Sequence, residues 1–276
     1  MALRINYNLA ASVAQRSLTT SQDAYSRQAE RLSTGLRINK AGDDAAGLAV
    51  SEKLKNQVRG LNQAQRNAQD GISLIQTAEG ALNETHAILS RMRELAVQSA
   101  NDTLTASDRA NLSTEFTQLY AEVERIANTT QFNTAPLLNS SGAATALTFQ
   151  IGANNGDTLV FTTSSARATS LEATMSALTI TAQSVSASGI SSLDAAINVV
   201  SKNRADFGAL QNRLESTIRS LGVASENTSA ANSRIVDADI AASMSELVRT
   251  QILQQAGISV LAQANQAPSQ ILSLLK

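Results

Sequence analysis

The residues that could do chemistry are few and widely spaced. His86 is the only histidine in the 276-residue chain, and there is no cysteine. A His-Glu-x-x-His zinc helix needs two histidines, so that metallopeptidase chemistry is excluded, together with thiolate catalysis, disulfides and cysteine metal sites. A lone His86 without carboxylate partners makes a poor acid–base group and reads as packed or at the solvent edge. Gly35 and Gly42 with Asp43 and Asp44 mimic a phosphate or metal loop, but no Lys-Ser/Thr pair follows to hold a phosphate. Asp237 and Asp239 read as helix-start carboxylates, favoured by the positive end of a helix dipole, rather than as a catalytic pair. No convergent site emerges, and we expect no enzyme, cofactor or metal.

Charge narrows the partners. Lys and Arg number 22 against 23 Asp and Glu, a net charge of -1, and no basic run offers a footprint for nucleic acid. Residues 250–275 carry no charge, yet Gln251, Gln254, Gln255, Gln263, Gln266 and Gln270 interrupt the stretch and Pro268 breaks it, which argues against a membrane span. The N-terminal stretch lacks an apolar core and a small-residue cleavage site, so it does not read as a Sec signal; leaving the cytoplasm would need another route.

With two prolines, no tryptophan and 3% aromatics, the composition suits long helices with few sharp turns. From Gly47 an alternating 3–4 spacing runs through Val50, Leu54, Gln57, Leu61, Ala64, Ala68, Gly71, Ile75, Ala78, Leu82, Thr85, Leu89, Met92, Ala96 and Ser99. This heptad seam predicts a helix of roughly 80 Å, and its many small residues predict close packing of several helices. Asn101 and Asp102 break it, and Ser107-Asp108 can cap a returning helix through Leu112, Phe116, Leu119, Val123 and Ile126.

Residues 129–142 read as an irregular connector. Residues 146–151 and 158–162 flank a Gly/Asn/Asp turn and predict a β-hairpin, and residues 164–189 read as a second weak strand pair or loop. A second seam spaced four and three follows, through Leu193, Ile197, Val200, Arg204, Phe207, Gln211, Leu214, Ile218 and Leu221, with Ser191-Ser192 as its cap. The terminal helices carry apolar stripes, Ala11, Ala14, Leu18, Tyr25, Ala29 and Leu32 against Leu253, Ala256, Val260, Ala264, Ala267, Ile271 and Leu274. The predicted fold is mainly α: an extended, long antiparallel coiled-coil bundle made by both halves of the chain, with a small β tip.

Four blocks carry a resemblance across nearly the whole chain: residues 2–8, residues 32–39 continuing into 41–48, residues 93–101, and residues 234–276. In this order they resemble bacterial flagellin, in a short form. The resemblance implies a structural subunit that polymerises into the helical flagellar filament for motility. It implies inner-tube helices from residues 1–40 and 237–276, a spoke over 34–46, and a wall domain over 47–236. A hairpin tip falls at about 145–189, with no outer variable domains. Polymerisation candidates are Leu9, Leu18, Tyr25, Leu32, Leu253, Val260, Ile271 and Leu274. Amphipathic termini left unburied in a monomer would be marginal helices, so assembly reads as coupled folding.

The resemblance further implies export by the flagellar type III apparatus, an export chaperone on the C-terminal helix, a filament cap protein, a hook–filament junction protein and an extracellular location. Arg91, Leu95 and Glu115 match positions that touch the innate-immune Toll-like receptor for flagellin; subunit packing and an Arg91–Glu115 charge pair are the competing reading. Gly152 and Gly156 are candidates for a switching hairpin. Ser140, Ser141, Thr162, Thr163, Ser164 and Ser165 are candidates for O-glycosylation. The alternatives are a hook–filament junction protein or a soluble coiled-coil adaptor.

Overall fold

The structure is a computed structural model and describes residues 7–139, 145–163 and 180–274. Five helices, α1 Leu9–Thr34, α2 Ala45–Ser99, α3 Ala106–Thr129, α4 Gln183–Val236 and α5 Ile240–Leu274, account for most of these residues. Two antiparallel ribbons complete them: β1 Gln131–Phe132 with β2 Ala135–Pro136, and β3 Thr145–Gln150 with β4 Thr158–Thr163. The protein forms two compact units, Met1–Val58 with Glu226–Lys276, and Arg59–Ser225, whose boundaries fall inside α2 and α4.

Polar side chains set the helix starts. Asn8 caps α1 by accepting from the Ala11 amide at 3.1 Å, and the helix ends at Gly35, whose φ of 71° suits a residue without Cβ. Asp44 accepts from the Gly47 amide at 2.8 Å to open α2, and Asp239 accepts from Ala242 at 3.0 Å to open α5. The start of α3 corrects the sequence reading. Its cap is Thr105, not Ser107-Asp108, and Asp108 serves as the third helical residue of a reciprocal capping box.

In the Arg59–Ser225 unit the predicted seam is the core. Every seam position of α2 from Leu61 to Ser99 is buried. Against it lie Phe116, Val123 and Ala127 of α3, Leu193, Val200, Phe207 and Leu214 of α4, and Leu138, Leu159 and Ile180 from the connecting segments. Each fully buried Leu or Ile contributes roughly 1.5–3 kcal/mol, which makes this apolar cluster the main stabilising feature of the unit. Upstream of Leu61 the expectation fails: Val50 and Gln57 are exposed, and Ser51 is buried instead.

The seam of α4 also differs from expectation. The buried line is Leu193, Ala196, Val200, Asn203, Phe207, Leu210 and Leu214, spaced three and four, while Ile197, Arg204, Gln211 and Ile218 are half-buried shoulders. The buried line passes through Ala196, Asn203 and Leu210; Ala196 and Asn203 are smaller than the Ile197 and Arg204 they replace, which lets the neighbouring helices approach closely. Helix α4 begins at Gln183, eight residues before the expected Ser191-Ser192 cap, so residues 183–189 are helical rather than strand or loop. Its first turns are held by Ser186, whose hydroxyl lies 3.1 Å from the Ser99 hydroxyl, while Ser99 donates to the Ile180 carbonyl at 2.6 Å. Residues 164–179 of that expectation lie outside the described residues.

The connector after α3 is more regular than its composition implied. Gln131 pairs with Pro136 across Asn133 and Thr134, both at positive φ (48° and 65°), as a tight two-residue hairpin turn requires. The larger hairpin forms where expected, in register from Thr145↔Thr163 to Gln150↔Thr158.

Candidate assembly interface

In the unit made by the two termini, α1 and α5 pack antiparallel. Asn8 Nδ2 donates to the Ala264 carbonyl at 2.8 Å, Leu18 lies against Gly257, and Gln254 Nε2 donates to Gln22 Oε1 at 2.9 Å. The face that α1 turns inward runs Ala11, Ala14, Leu18, Ser21, Tyr25, Gln28 and Leu32, a 3–4 repeat of half-buried residues. The inward line of α5 is more polar: Ser243, Leu247, Thr250, Gln254, Gly257, Leu261 and Ala264. Most of its large apolar residues point away, leaving Ile240, Met244, Val248, Ile252, Leu253, Ile258 and Val260 exposed, as are Leu9 and Val13 on α1 and Tyr7 just before it.

The polymerisation candidates therefore divide. Leu18, Tyr25 and Leu32 lie on the half-buried inward edge of α1, whereas Leu9 is 61% exposed, Leu253 47% and Val260 55%. Ile271 and Leu274 belong to α5, but their side chains lie outside the described residues. Of the expected stripe of α5, Leu253, Ala256 and Val260 turn outward and Ala264 meets α1, while the side chains of Ala267, Ile271 and Leu274 lie outside the described residues. Sequence reading missed Ile240, Met244, Val248 and Ile252, although their regular four-residue spacing is visible in the chain.

Where the two termini meet, short backbone bonds hold residues 35–38 against residues 235–238. Leu36 bridges Asp237, the Arg37 amide donates to the Val236 carbonyl at 2.6 Å, and the Ala238 amide donates to the Gly35 carbonyl at 2.9 Å. Asp43 accepts from the Lys40 and Asn39 amides at 3.0 and 3.1 Å, which holds its carboxyl below the usual range. Lys40 in turn is raised by its hydrogen bond to Glu30 at 2.7 Å. These carboxylates are spent on turns and caps: Asp239 starts α5, whereas Asp237 accepts from the Ser233 hydroxyl at 2.6 Å at the end of α4. Among the described residues no group of three or more acidic, His or Cys side chains is placed to hold a metal ion.

The hairpin sits on α2 through glycines. A Cβ on Gly60 would lie 2.9 Å from the Ala153 Cβ, and one on Gly71 would lie 3.2 Å from the Phe149 ring. Asn67 Nδ2 donates to the Gln150 carbonyl at 3.1 Å beside them. Within the turn the Asp157 carboxylate accepts from the Asn154 amide at 3.1 Å and fills the place a Cβ on Gly152 would need. Gly156 has φ of 92°, so both switching candidates occupy positions that only glycine suits, by crowding at Gly152 and by conformation at Gly156.

The three receptor candidates are not equivalent. Arg91 and Glu115 join α2 to α3 on the surface at 3.0 Å, and Arg91 also meets Glu94 at 3.0 Å; these carboxylates raise the guanidinium pKa. Leu95 is 0% exposed in the core and presents no surface. Of the glycosylation candidates, Thr162 and Thr163 fall in β4, while Ser140, Ser141, Ser164 and Ser165 lie outside the described residues. His86 is half-buried on α2, its Nδ1 shielded from solvent.

Two family models cover this architecture: the bacterial flagellin N-terminal helical region matches residues 5–143, and the C-terminal helical region matches residues 190–275. The flagellin of Halalkalibacterium halodurans is 51% identical over 272 residues, 99% of each protein. This chain belongs to the bacterial flagellins. The flagellin of Bacillus subtilis is 44% identical, covering 99% of this chain and all of that one, and the flagellar filament 33 kDa core protein of Treponema phagedenis is 45% identical over 99% of each. The crystal structure of Bacillus cereus flagellin shares 34% identity at a TM-score of 0.51, covering 56% of this chain and 88% of that one. A putative flagellar hook-associated protein from Vibrio parahaemolyticus, at 17% identity and a TM-score of 0.59, shares the fold. As a flagellin, the protein is a structural subunit that polymerises into the flagellar filament.

Proposed function

We propose that subunits polymerise through the outward apolar face of the α1–α5 pair, with Leu9, Leu253 and Val260 at its exposed positions. The observation that carries this reading is the apolar surface the pair leaves uncovered: α5 turns Leu247, Thr250, Gln254 and Leu261 inward and still leaves Ile252, Leu253, Ile258 and Val260 exposed. Contiguous apolar surface of this kind marks a protein contact, and contact between unlike surfaces that does not close builds a helical polymer. Residues 1–40 and 237–276 then form the inner tube, residues 34–46 the spoke and residues 47–236 the wall. Seeds mixed with the full-length protein should grow filaments visible by electron microscopy, and a protein lacking residues 243–276 should not. Filament growth by the truncated protein would overturn the assignment.

The same exposed face is an aggregation hazard inside a cell, which supports an export chaperone on α5 and passage through the type III apparatus to an extracellular filament. A cap protein and a hook–filament junction protein would bound the polymer. Sensing by the Toll-like receptor rests on Arg91 and Glu115, since Leu95 offers no accessible side chain. Replacing Arg91 and Glu115 with Ala should lower receptor signalling by monomer without unfolding it, and unchanged signalling would count against the proposal.

A further inference from the structure

Asn155-Gly156 is the only Asn-Gly pair in the sequence, and it lies at the tip of the β3–β4 hairpin. Asn155 is exposed, and neither its carboxamide nor the Gly156 N–H has a hydrogen-bond partner among the described residues. Its neighbour Asn154 is tied: its amide N–H and its Nδ2 both donate to the Asp157 carboxylate, at 3.1 and 3.2 Å, and its carbonyl accepts from Gln150 Nε2 at 2.8 Å. Gly156, at φ of 92° with open space around its Cα, has no side chain to shield its nitrogen.

We infer that Asn155 is a site of spontaneous deamidation, an intrinsic chemical modification of the hairpin tip that is independent of the polymerisation surface. The Gly156 nitrogen attacks the Asn155 Cγ and gives its proton to solvent base. The new bond from nitrogen to Cγ closes a five-membered succinimide as the bond between Cγ and Nδ2 breaks and ammonia leaves. Water then opens the ring at either carbonyl, yielding aspartate or isoaspartate with no redox change. Either product places a new carboxylate two residues from Asp157, and isoaspartate lengthens the backbone by a methylene in the turn that seats Ala153 on Gly60. Modification therefore loosens the hairpin from α2.

The test incubates the full-length protein at mildly alkaline pH and follows the peptide containing residues 154–156 by mass spectrometry, with isoaspartate detected by a methyltransferase assay. Ammonia loss is expected at Asn155 well ahead of Asn154, and the N155Q variant, whose ring closure would be six-membered, should resist it. Deuterium exchange should show weaker protection of the Ile151 amide, which bonds the Asp157 carbonyl at 2.9 Å, in the modified protein. An Asn155 that stays intact, a rate no faster than that of Asn154, or equal acid formation in N155Q would overturn the inference.

Discussion

The glycines beneath the hairpin make a quantitative prediction. In Gly60→Ala the new methyl would lie 2.9 Å from the Ala153 Cβ and 3.3 Å from its Cα. Carbon atoms prefer about 3.5–4.0 Å, so the hairpin must retreat by roughly half an ångström or more, and because one of the opposing atoms is backbone no rotamer change relieves it. Overpacking of this kind costs about 1–3 kcal/mol, against which Ala in a helix interior gains about 1 kcal/mol over Gly. Gly80→Ala, on the same helix, meets nothing within 4 Å and should show the helix gain alone. Subtracting one variant from the other removes the propensity term and leaves the contact, so Gly60→Ala should be about 1–3 kcal/mol less stable than Gly80→Ala. Urea unfolding followed by circular dichroism gives the difference, and deuterium exchange at Ile151 reports whether the loss is localised in the hairpin. Equal stabilisation by both substitutions would refute the docking of Ala153 on Gly60.

Three further outcomes follow from named contacts. Leu95→Ala should cost about 2–5 kcal/mol, because a fully buried side chain leaves a cavity, and a near-neutral midpoint in urea would contradict its core placement. The Thr105 hydroxyl and then the Thr105 amide lower the Asp108 pKa, so the capping box stabilises the protein above the ordinary carboxylate pKa. That contribution disappears as pH falls through the lowered value. Amide chemical shifts at the start of α3 should change in that acidic window and should not in D108N. Gly156→Ala requires a side chain at φ of 92° and should cost about 1–3 kcal/mol of local strain, biasing filaments toward a straight form; normal swimming waveforms would sink the switching role of the hairpin.

The features that were legible in the sequence are those where one physical term dominates. The seam from Leu61 to Ser99 is apolar or small at every step, and burial follows it without exception. The β3–β4 hairpin was equally clear, because runs rich in β-branched and aromatic residues, among them Phe149, Val160 and Phe161, flank a turn rich in Gly, Asn and Asp. Where terms compete, reading fails. On α4 the apolar Ile197 and Ile218 suggested one face, but the buried line runs through Ala196, Asn203 and Leu210, with Ile197 and Arg204 on its half-buried edge. The start of α4 is serine-rich and resembles a loop until Ser186 and Ser99 meet across 87 positions, a contact no local pattern reveals. On α5 the stripe of Leu253, Ala256 and Val260 was read, but neither its direction nor the exposed line through Ile240 and Ile252, because which side of the helix is buried depends on partners no local pattern names.

The most direct test of the central claim is the critical concentration for seeded elongation of the Ile252→Ser, Leu253→Ser double variant. The two side chains are 58% and 47% exposed, so about half of the roughly 1.5–3 kcal/mol each can contribute remains to be gained on assembly. The sum is about 2 kcal/mol, or roughly a thirtyfold rise in critical concentration, with the helicity of the monomer unchanged. Gln255→Ser, an exposed polar neighbour on the same helix, should behave as the parent protein. Elongation of the double variant at the parent's critical concentration would contradict the assignment of this face as the polymerisation surface.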